Sequence, residues 1–279
     1  MENRRIWFYA TGAAATSLCP FITGLIEVDQ MKTVLTRELR HLLGKAAAPV
    51  FKLEAIRGYA MHAIAAATFD DCTEHYPALK AKHVGNARLF ATRHDLISSM
   101  TFLKGGVIAE IGVADGCFSD FLLSQLEPKQ FIAFDVFTMH EFTTSWDGRT
   151  DMFDNMTQLE HYRRKFADRG PQVVIEIGMS QQNLAKYPDK SFDLIYIDGD
   201  HSYVGVKEDA NLAKAKITDN GVVVFNDYII FDYANGVTYG VVRAVNELLI
   251  NEDWRVCGFA LCRGMFCDIA VRKPGGPSL

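Results

Sequence analysis

The chain has 279 residues, of which 49% are hydrophobic and 23% charged, a balance typical of a soluble globular protein with a full core. Its formal net charge of −5 argues against a nucleic-acid-binding protein, because such proteins usually present a basic face. The length fits one large domain, or a domain with an appendage.

The first apolar stretch, residues 6–26, carries no charge and follows a basic start, as a signal peptide or membrane anchor does. It also contains two glycines, a proline and four serines or threonines, which interrupt any sustained apolar core. We therefore expect a buried, partly irregular N-terminal element. An export or membrane segment and a dimer contact are the alternatives.

Residues 30–103 place apolar side chains at helical spacing, and Gly44, Pro49 and Pro77 punctuate the pattern. We predict that residues 1–103 form a mainly helical region. It would cover the site of the following domain or hold a homo-oligomer together.

A different pattern begins at Gly105, where short runs rich in valine and isoleucine alternate with helical segments. The runs are 106–113, 131–137, 172–179, 192–199 and 221–228. This alternation predicts an α/β fold in residues 104–279, with a doubly wound, mostly parallel sheet that is covered on both faces. Two last runs, 254–261 and 265–273, are separated by only a few residues, which predicts a hairpin and an antiparallel last strand.

Residues 138–170 interrupt the alternation and are rich in Asp, Thr, Met and aromatic residues. Loops that follow the carboxyl ends of strands cover the ligand crevice of an open α/β sheet. This segment is therefore a candidate lid, with a purely structural excursion as the alternative.

The six cysteines, at positions 19, 72, 117, 257, 262 and 267, include no C-x-x-C pair. The spacing of the last three could suit a metal, but they lie in apolar runs, which favours packed, reduced thiols. Reduced thiols indicate a cytoplasmic location.

The first strand runs into the stretch EIGVADGCFS, from Glu110 to Ser119. Gly112 and Gly116 allow a tight turn and a close approach of the backbone to a ligand. The glycine triplet of dinucleotide-binding proteins is absent, and Glu110 and Asp115 would repel a pyrophosphate. The loop therefore suits a ligand with a cationic or zwitterionic part.

Acidic residues also follow three later strands. Asp135 ends one of them, where a carboxylate can accept the hydroxyls of a ribose. Asp198, Asp200 and His201 follow another, and Asn226 and Asp227 follow a third. Buried carboxylates are costly unless they are paired, hydrogen-bonded or bound to metal, so these strand ends predict a site. The alternative is a set of hydrogen-bonded turns.

Together these motifs resemble the class I S-adenosylmethionine-dependent methyltransferases, over about residues 100–273. Among them the chain is similar to the metal-dependent O-methyltransferases of the macrolide-sugar, aminocoumarin-sugar and catechol types. The resemblance implies a Rossmann-like fold and S-adenosylmethionine as the methyl donor. It implies that Glu110 lies beneath the cofactor loop and Asp135 holds the ribose. The other implied cofactor-binding residues are Gly112, Asp115, Gly116, Ser119, Gly178, Met179 and Ser180.

The same resemblance implies that Asp198, Asn226 and Asp227 bind Mg²⁺. An amide in place of a carboxylate removes one charge from such a site. His201 matches the catalytic base of the macrolide-sugar enzymes, and Asp200 is the second candidate for that role.

We expect, on this resemblance, a Mg²⁺-dependent O-methyltransferase that acts on a sugar or a polyhydroxylated natural product, with no nucleic-acid or membrane partner. Two rivals remain. One is a metal-independent N- or C-methyltransferase with His201 as base, and the other is a non-catalytic cofactor-binding protein.

Overall fold

A computed structural model describes residues 76–141, 151–233 and 236–276. The apolar stretch 6–26, the predicted helices before residue 76, and Cys19 and Cys72 lie outside these residues. The described residues belong to one compact unit, Asp71–Leu279. Within them, no helix has both the length and the apolar character needed to cross a membrane.

Ten strands occur in the described residues. They are β1 Arg88–Phe90, β2 Val107–Ile111, β3 Gln130–Asp135, β4 Val173–Ile177, β5 Phe192–Ile197, β6 Ile217–Phe225, β7 Phe231–Asp232, β8 Val237–Thr238, β9 Arg255–Ala260 and β10 Asp268–Arg272. Eight of them form one sheet in the order β1-β9-β10-β6-β5-β2-β3-β4, and β7 pairs with β8 alone. The strands β6, β5, β2, β3 and β4 are parallel neighbours.

Seven α-helices accompany the strands in the described ranges. They are α1 Ala81–Val84, α2 Arg93–Ser98, α3 Cys117–Leu126, α4 Gln158–Lys165, α5 Ser180–Leu184, α6 Tyr203–Lys216 and α7 Val241–Asn251. Alternate strand residues feed two cores, one on each face of the sheet. The helices α2, α3 and α4 cover one face, and α6 and α7 cover the other. The doubly wound α/β fold predicted from the sequence is confirmed.

The antiparallel last strand is confirmed as well, since β10 runs antiparallel to both β9 and β6. Cys257 and Cys267 are buried free thiols, as predicted, whereas Cys262 is only partly buried and Cys117 is exposed.

One local prediction was wrong. Residues 88–90, expected within a helix, form β1, which pairs in parallel with β9 from Arg88 opposite Gly258 to Phe90 opposite Ala260. A strand of three residues is too short to show an alternating pattern, and its position is set by the tertiary pairing. The sheet therefore recruits residues from the region predicted to be helical.

Candidate active site

The predicted site residues meet at the carboxyl edge of the parallel sheet. The backbone amides of Gly112 and Asp198 donate hydrogen bonds to Phe134 and Ile111, at 2.8 and 2.7 Å. The amide of Asn226 donates to Ile197 at 2.9 Å, and that of Gly178 to Asp135 at 2.9 Å. Each bond extends a strand ladder by one residue. The sheet thereby fixes the start of each candidate segment relative to its neighbour.

Gly112 and Gly116 both have left-handed backbones, with φ of 82° and 74°. A Cβ on Gly112 would lie 2.0 Å from the carbonyl oxygen of Asp198, and one on Gly116 would lie 2.9 Å from a ring carbon of Phe166. Both positions therefore require glycine for close packing as well as for φ. The loop therefore packs directly against Asp198, the first acidic residue after β5.

Helix α4 holds this loop from the side. The Gln158 Nε2 atom donates to the carbonyl of Ala114 at 3.1 Å, and its Oε1 atom accepts from the amide of Met139 at 2.9 Å. Lys165 Nζ donates to the carbonyl of Asp115 at 3.0 Å. Gln158 is fully buried, so α4 is part of the core. No motif in the sequence marks these contacts of Gln158 and Lys165 with the loop, so they were not predicted. A lid role for residues 138–170 stays a prediction.

Glu110 and Ser119 support the loop from beneath. Both side chains are buried, and the Ser119 hydroxyl donates to the Glu110 carboxyl group. Burial raises the pKa of Glu110 to about 8. That Glu110 lies beneath a bound cofactor stays a prediction. Ser119 is directed to Glu110 and not to the crevice.

Asp135 joins the loops that follow β2 and β3. Its Oδ2 accepts from the amide of Val113 at 2.8 Å and its Oδ1 accepts from that of Phe137 at 2.6 Å. A carboxylate offers about four lone-pair positions, so acceptor capacity remains for a ribose. In the turn after β4, Met179 is exposed, whereas the Ser180 hydroxyl donates to the buried Asp209 at 2.7 Å.

His201 lies between two carboxylates. Its Nε2 atom is 3.5 Å from Asp198 Oδ1 and 3.7 Å from Asp227 Oδ2, and it is buried without a hydrogen bond. The ring stacks on Tyr239, with centroids 4.6 Å apart and an interplanar angle of 10°. The backbone carbonyl accepts from Gly240 at 2.8 Å. The imidazole is thus held in one orientation.

The surrounding charges shift the pKa of His201. Burial alone would lower the pKa of His201, but the carboxylates of Asp198, Asp227 and Asp200 together raise it above its ordinary value. Burial and the nearby Asp198 raise the pKa of Asp227 to about 6. Imidazole is a common general base near neutral pH, and carboxylates at this distance stabilise its protonated form.

Asp200, the second candidate base, is held at the start of α6. Its Oδ1 accepts from the amide of Ser202 at 2.8 Å, and its Oδ2 accepts from the Ser202 hydroxyl at 2.9 Å. Ser202 in turn caps α6 by accepting from the amide of Gly205 at 3.1 Å. These contacts give Asp200 a structural task at the helix start.

Arg93, which sequence reasoning missed, reaches the site from α2. Its Nη1 atom lies 3.9 Å from Asp198 Oδ2 and 3.4 Å from the Tyr196 hydroxyl. Its guanidinium carbon is 4.3 Å from the centre of the Phe118 ring. Nothing in the sequence around position 93 marks it, because only the packing of α2 brings it to the strand ends.

Asn226 belongs to a buried polar cluster. Its Nδ2 atom donates to Asp268 Oδ1 at 3.1 Å and to the Tyr196 hydroxyl at 3.3 Å. That hydroxyl donates to Asp268 Oδ2 at 2.6 Å. Burial raises the pKa of Asp268 to about 7. Asp268 escaped sequence reasoning because it lies within an apolar strand.

The resemblance implies that Asp198, Asn226 and Asp227 bind Mg²⁺, and the surroundings of these side chains test that prediction. Across the described ranges, no three His, Cys, Asp or Glu side chains are grouped so that they could hold one ion. Asn226 would have to be the third ligand through its Oδ1 atom, because its Nδ2 atom donates to Asp268 and Tyr196. The guanidinium beside Asp198 would also repel a divalent cation. As they stand, these residues do not fit Mg²⁺.

Comparison with known proteins agrees with the cofactor side of the site. Residues 109–228 match a family model described as a methyltransferase domain. No curated protein matches the chain.

Solved structures with a similar fold include three methyltransferases, each with a low TM-score. The ribosomal protein L11 methylase from Lactobacillus delbrueckii subsp. bulgaricus has 15% identity and a TM-score of 0.44, over 64% of this chain and 76% of that one. The M1A22 tRNA methyltransferase of B. subtilis has 13% identity and a TM-score of 0.44, over 67% of each chain. The precorrin-6y C5,15-methyltransferase from Geobacter metallireducens has 16% identity and a TM-score of 0.43, over 66% of this chain and 94% of that one.

The family match spans the glycine loop, Asp135 and both acidic strand ends. Residues 109–228 are thus similar to a methyltransferase domain.

Proposed function

We propose that the protein methylates a hydroxyl group of a small molecule, with S-adenosylmethionine as donor and His201 as general base. The observation that carries this proposal is that Asp198 lies against both the loop and the base. Gly112 packs on Asp198, and Asp198 lies 3.5 Å from His201. A base at this position can reach an acceptor that lies against the cofactor loop.

The cofactor supplies a methyl group on a positively charged sulfur. His201 Nε2 takes the proton from the acceptor hydroxyl, and the oxygen attacks the methyl carbon as the carbon–sulfur bond breaks. The bonding electron pair goes to sulfur, which leaves S-adenosylhomocysteine and a methyl ether. Asp198 and Asp227 stabilise the imidazolium that forms, because each carboxylate lies within 4 Å of Nε2.

This arrangement favours an acidic hydroxyl group. Proton transfer to an imidazole is efficient when the donor is a phenol or an enol, whose pKa is not far above that of the base. A sugar hydroxyl is a much weaker acid and would need a metal to be activated. Because Asp198, Asn226 and Asp227 do not fit Mg²⁺ as they stand, we favour a phenolic or enolic acceptor over the sugar that the sequence suggested.

The test is formation of S-adenosylhomocysteine with a panel of simple phenols, sugars and amines, in the presence of a chelator. We expect turnover with a phenol, and a loss of at least about 100-fold in kcat for His201→Gln. The control is His161→Gln, because His161 also lies 3.7 Å from an aspartate, Asp154. Turnover confined to amines would contradict the proposal. So would turnover that requires added Mg²⁺.

A further inference from the structure

Arg93 places a permanent positive charge where the acceptor must bind. The guanidinium and the Asp198 carboxylate lie 3.9 Å apart, and their side chains are 30% and 29% exposed. Both groups are therefore partly desolvated and still partly open to solvent. Asp198 thus has the Arg93 guanidinium near Oδ2 and the His201 imidazole near Oδ1.

The side chain is also held in place. The Phe118 ring lies under the guanidinium at 4.3 Å, and Nη1 contacts the hydroxyl of the fully buried Tyr196. A guanidinium has five N–H donors, and these two contacts involve only one of its nitrogens. The remaining donors are available to an oxygen atom in the crevice.

We propose that Arg93 performs the role of a divalent cation in this acceptor site, which rests on the function proposed above. Its charge balances Asp198 and its N–H groups bind the acceptor oxygen as negative charge develops on it. The hydroxyl proton goes to His201 Nε2, the oxygen bonds to the methyl carbon, and the electron pair of the broken bond stays on sulfur. Arg93 keeps its protons throughout. Preorganised donors of this kind stabilise developing charge without reorganisation.

Whether Arg93 takes the place of a divalent cation can be tested without a known substrate. Mn²⁺ binding to the full-length chain, followed by electron paramagnetic resonance, serves as the probe. We expect weak binding to the wild type. We expect at least about tenfold tighter binding to Arg93→Gln, because Asp198 and Asp227 lose their neighbouring cation. Arg93→Lys keeps the charge and should bind Mn²⁺ as the wild type does.

The matched control is Arg88→Gln. Arg88 also lies over a phenylalanine ring, at 5.0 Å from that of Phe90, but it is on β1 and takes no part in the site. Its Mn²⁺ affinity should equal that of the wild type. Binding of S-adenosylmethionine within twofold of the wild type shows that each variant is folded.

Three results would overturn the inference. Tight Mn²⁺ binding to the wild type would show that Arg93 does not replace a metal. Unchanged Mn²⁺ binding in Arg93→Gln would show that its charge does not govern the site. Methylation of a phenol in chelator with wild-type kcat in Arg93→Gln would refute the role of Arg93 while leaving the proposed function intact.

Discussion

Gly112 and Asp198 approach so closely that a Cβ atom on Gly112 would lie 2.0 Å from the Asp198 carbonyl oxygen. Through this contact the loop that follows β2 packs directly against the segment that follows β5. Gly112→Ala must move the backbone after β5 or the loop itself. We expect a loss of at least about 2 kcal/mol in the free energy of unfolding, measured by denaturant titration.

The control for this glycine is Gly105→Ala. Gly105 has a similar φ of 72°, but a Cβ there would meet nothing within 4 Å. It should cost only the backbone strain, about 1 kcal/mol. Equal losses in the two variants would mean that the close packing on Asp198 contributes nothing.

Asp135 should control cofactor affinity. The Asp135 carboxylate accepts hydrogen bonds from the backbone amides of Val113 and Phe137. In Asp135→Asn, the side-chain NH2 group must face one of these two donors. We expect the Kd for S-adenosylmethionine to rise at least about tenfold in calorimetry, since a hydrogen bond to a charged group is worth about 1.5–3 kcal/mol. Asp120→Asn, an exposed residue 3.9 Å from Arg169, should leave the Kd unchanged. A normal Kd in Asp135→Asn would refute the assignment.

Gln158 should act on the cofactor through the loop. Gln158→Leu leaves the Ala114 carbonyl and the Met139 amide without their partner, so the loop loses its tie to α4. We expect about tenfold weaker cofactor binding.

Gln172→Leu is the matched control for Gln158. Gln172 donates to the carbonyl of Pro128, just before β3. This contact lies at the amino end of the parallel strands, away from the carboxyl edge that carries the site. Its loss should lower stability and leave cofactor affinity unchanged. The same Kd in both variants would refute a specific role of Gln158.

Glu110 should make stability depend on pH. Its pKa is raised from 4.5 to about 8 by burial, so the folded chain binds a proton that the unfolded chain releases. The stabilising effect is complete below about pH 4.5 and is lost as pH rises to about 8. The free energy of unfolding should fall by up to about 1.4 kcal/mol per pH unit in this window. Glu110→Gln should remove this slope, whereas parallel curves for the two proteins would contradict the account.

Much of the fold could be predicted from local patterns. The five valine- and isoleucine-rich runs became parallel strands, because a strand buried on both faces has a distinctive composition. The residues at the strand ends came together, because parallel strands share one carboxyl edge. Both signals are local in sequence.

What escaped prediction depends on tertiary packing. Arg93 lies in a short helix with no motif and reaches Asp198 only because α2 packs beside α3. Asp268 begins an apolar strand, and its partners are Tyr196 in β5 and Asn226, which directly follows β6. Long-range contacts of this kind leave no periodic signal in one sequence.

Calorimetric titration of metal-stripped protein shows whether the site binds S-adenosylmethionine and Mg²⁺. S-adenosylmethionine is titrated first, and Mg²⁺ is then titrated into the complex. We expect saturable cofactor binding without metal and no saturable Mg²⁺ isotherm. A one-site Mg²⁺ isotherm that disappears in Asp198→Ala would contradict the metal-free acceptor site. Absence of cofactor binding would contradict the methyltransferase assignment itself.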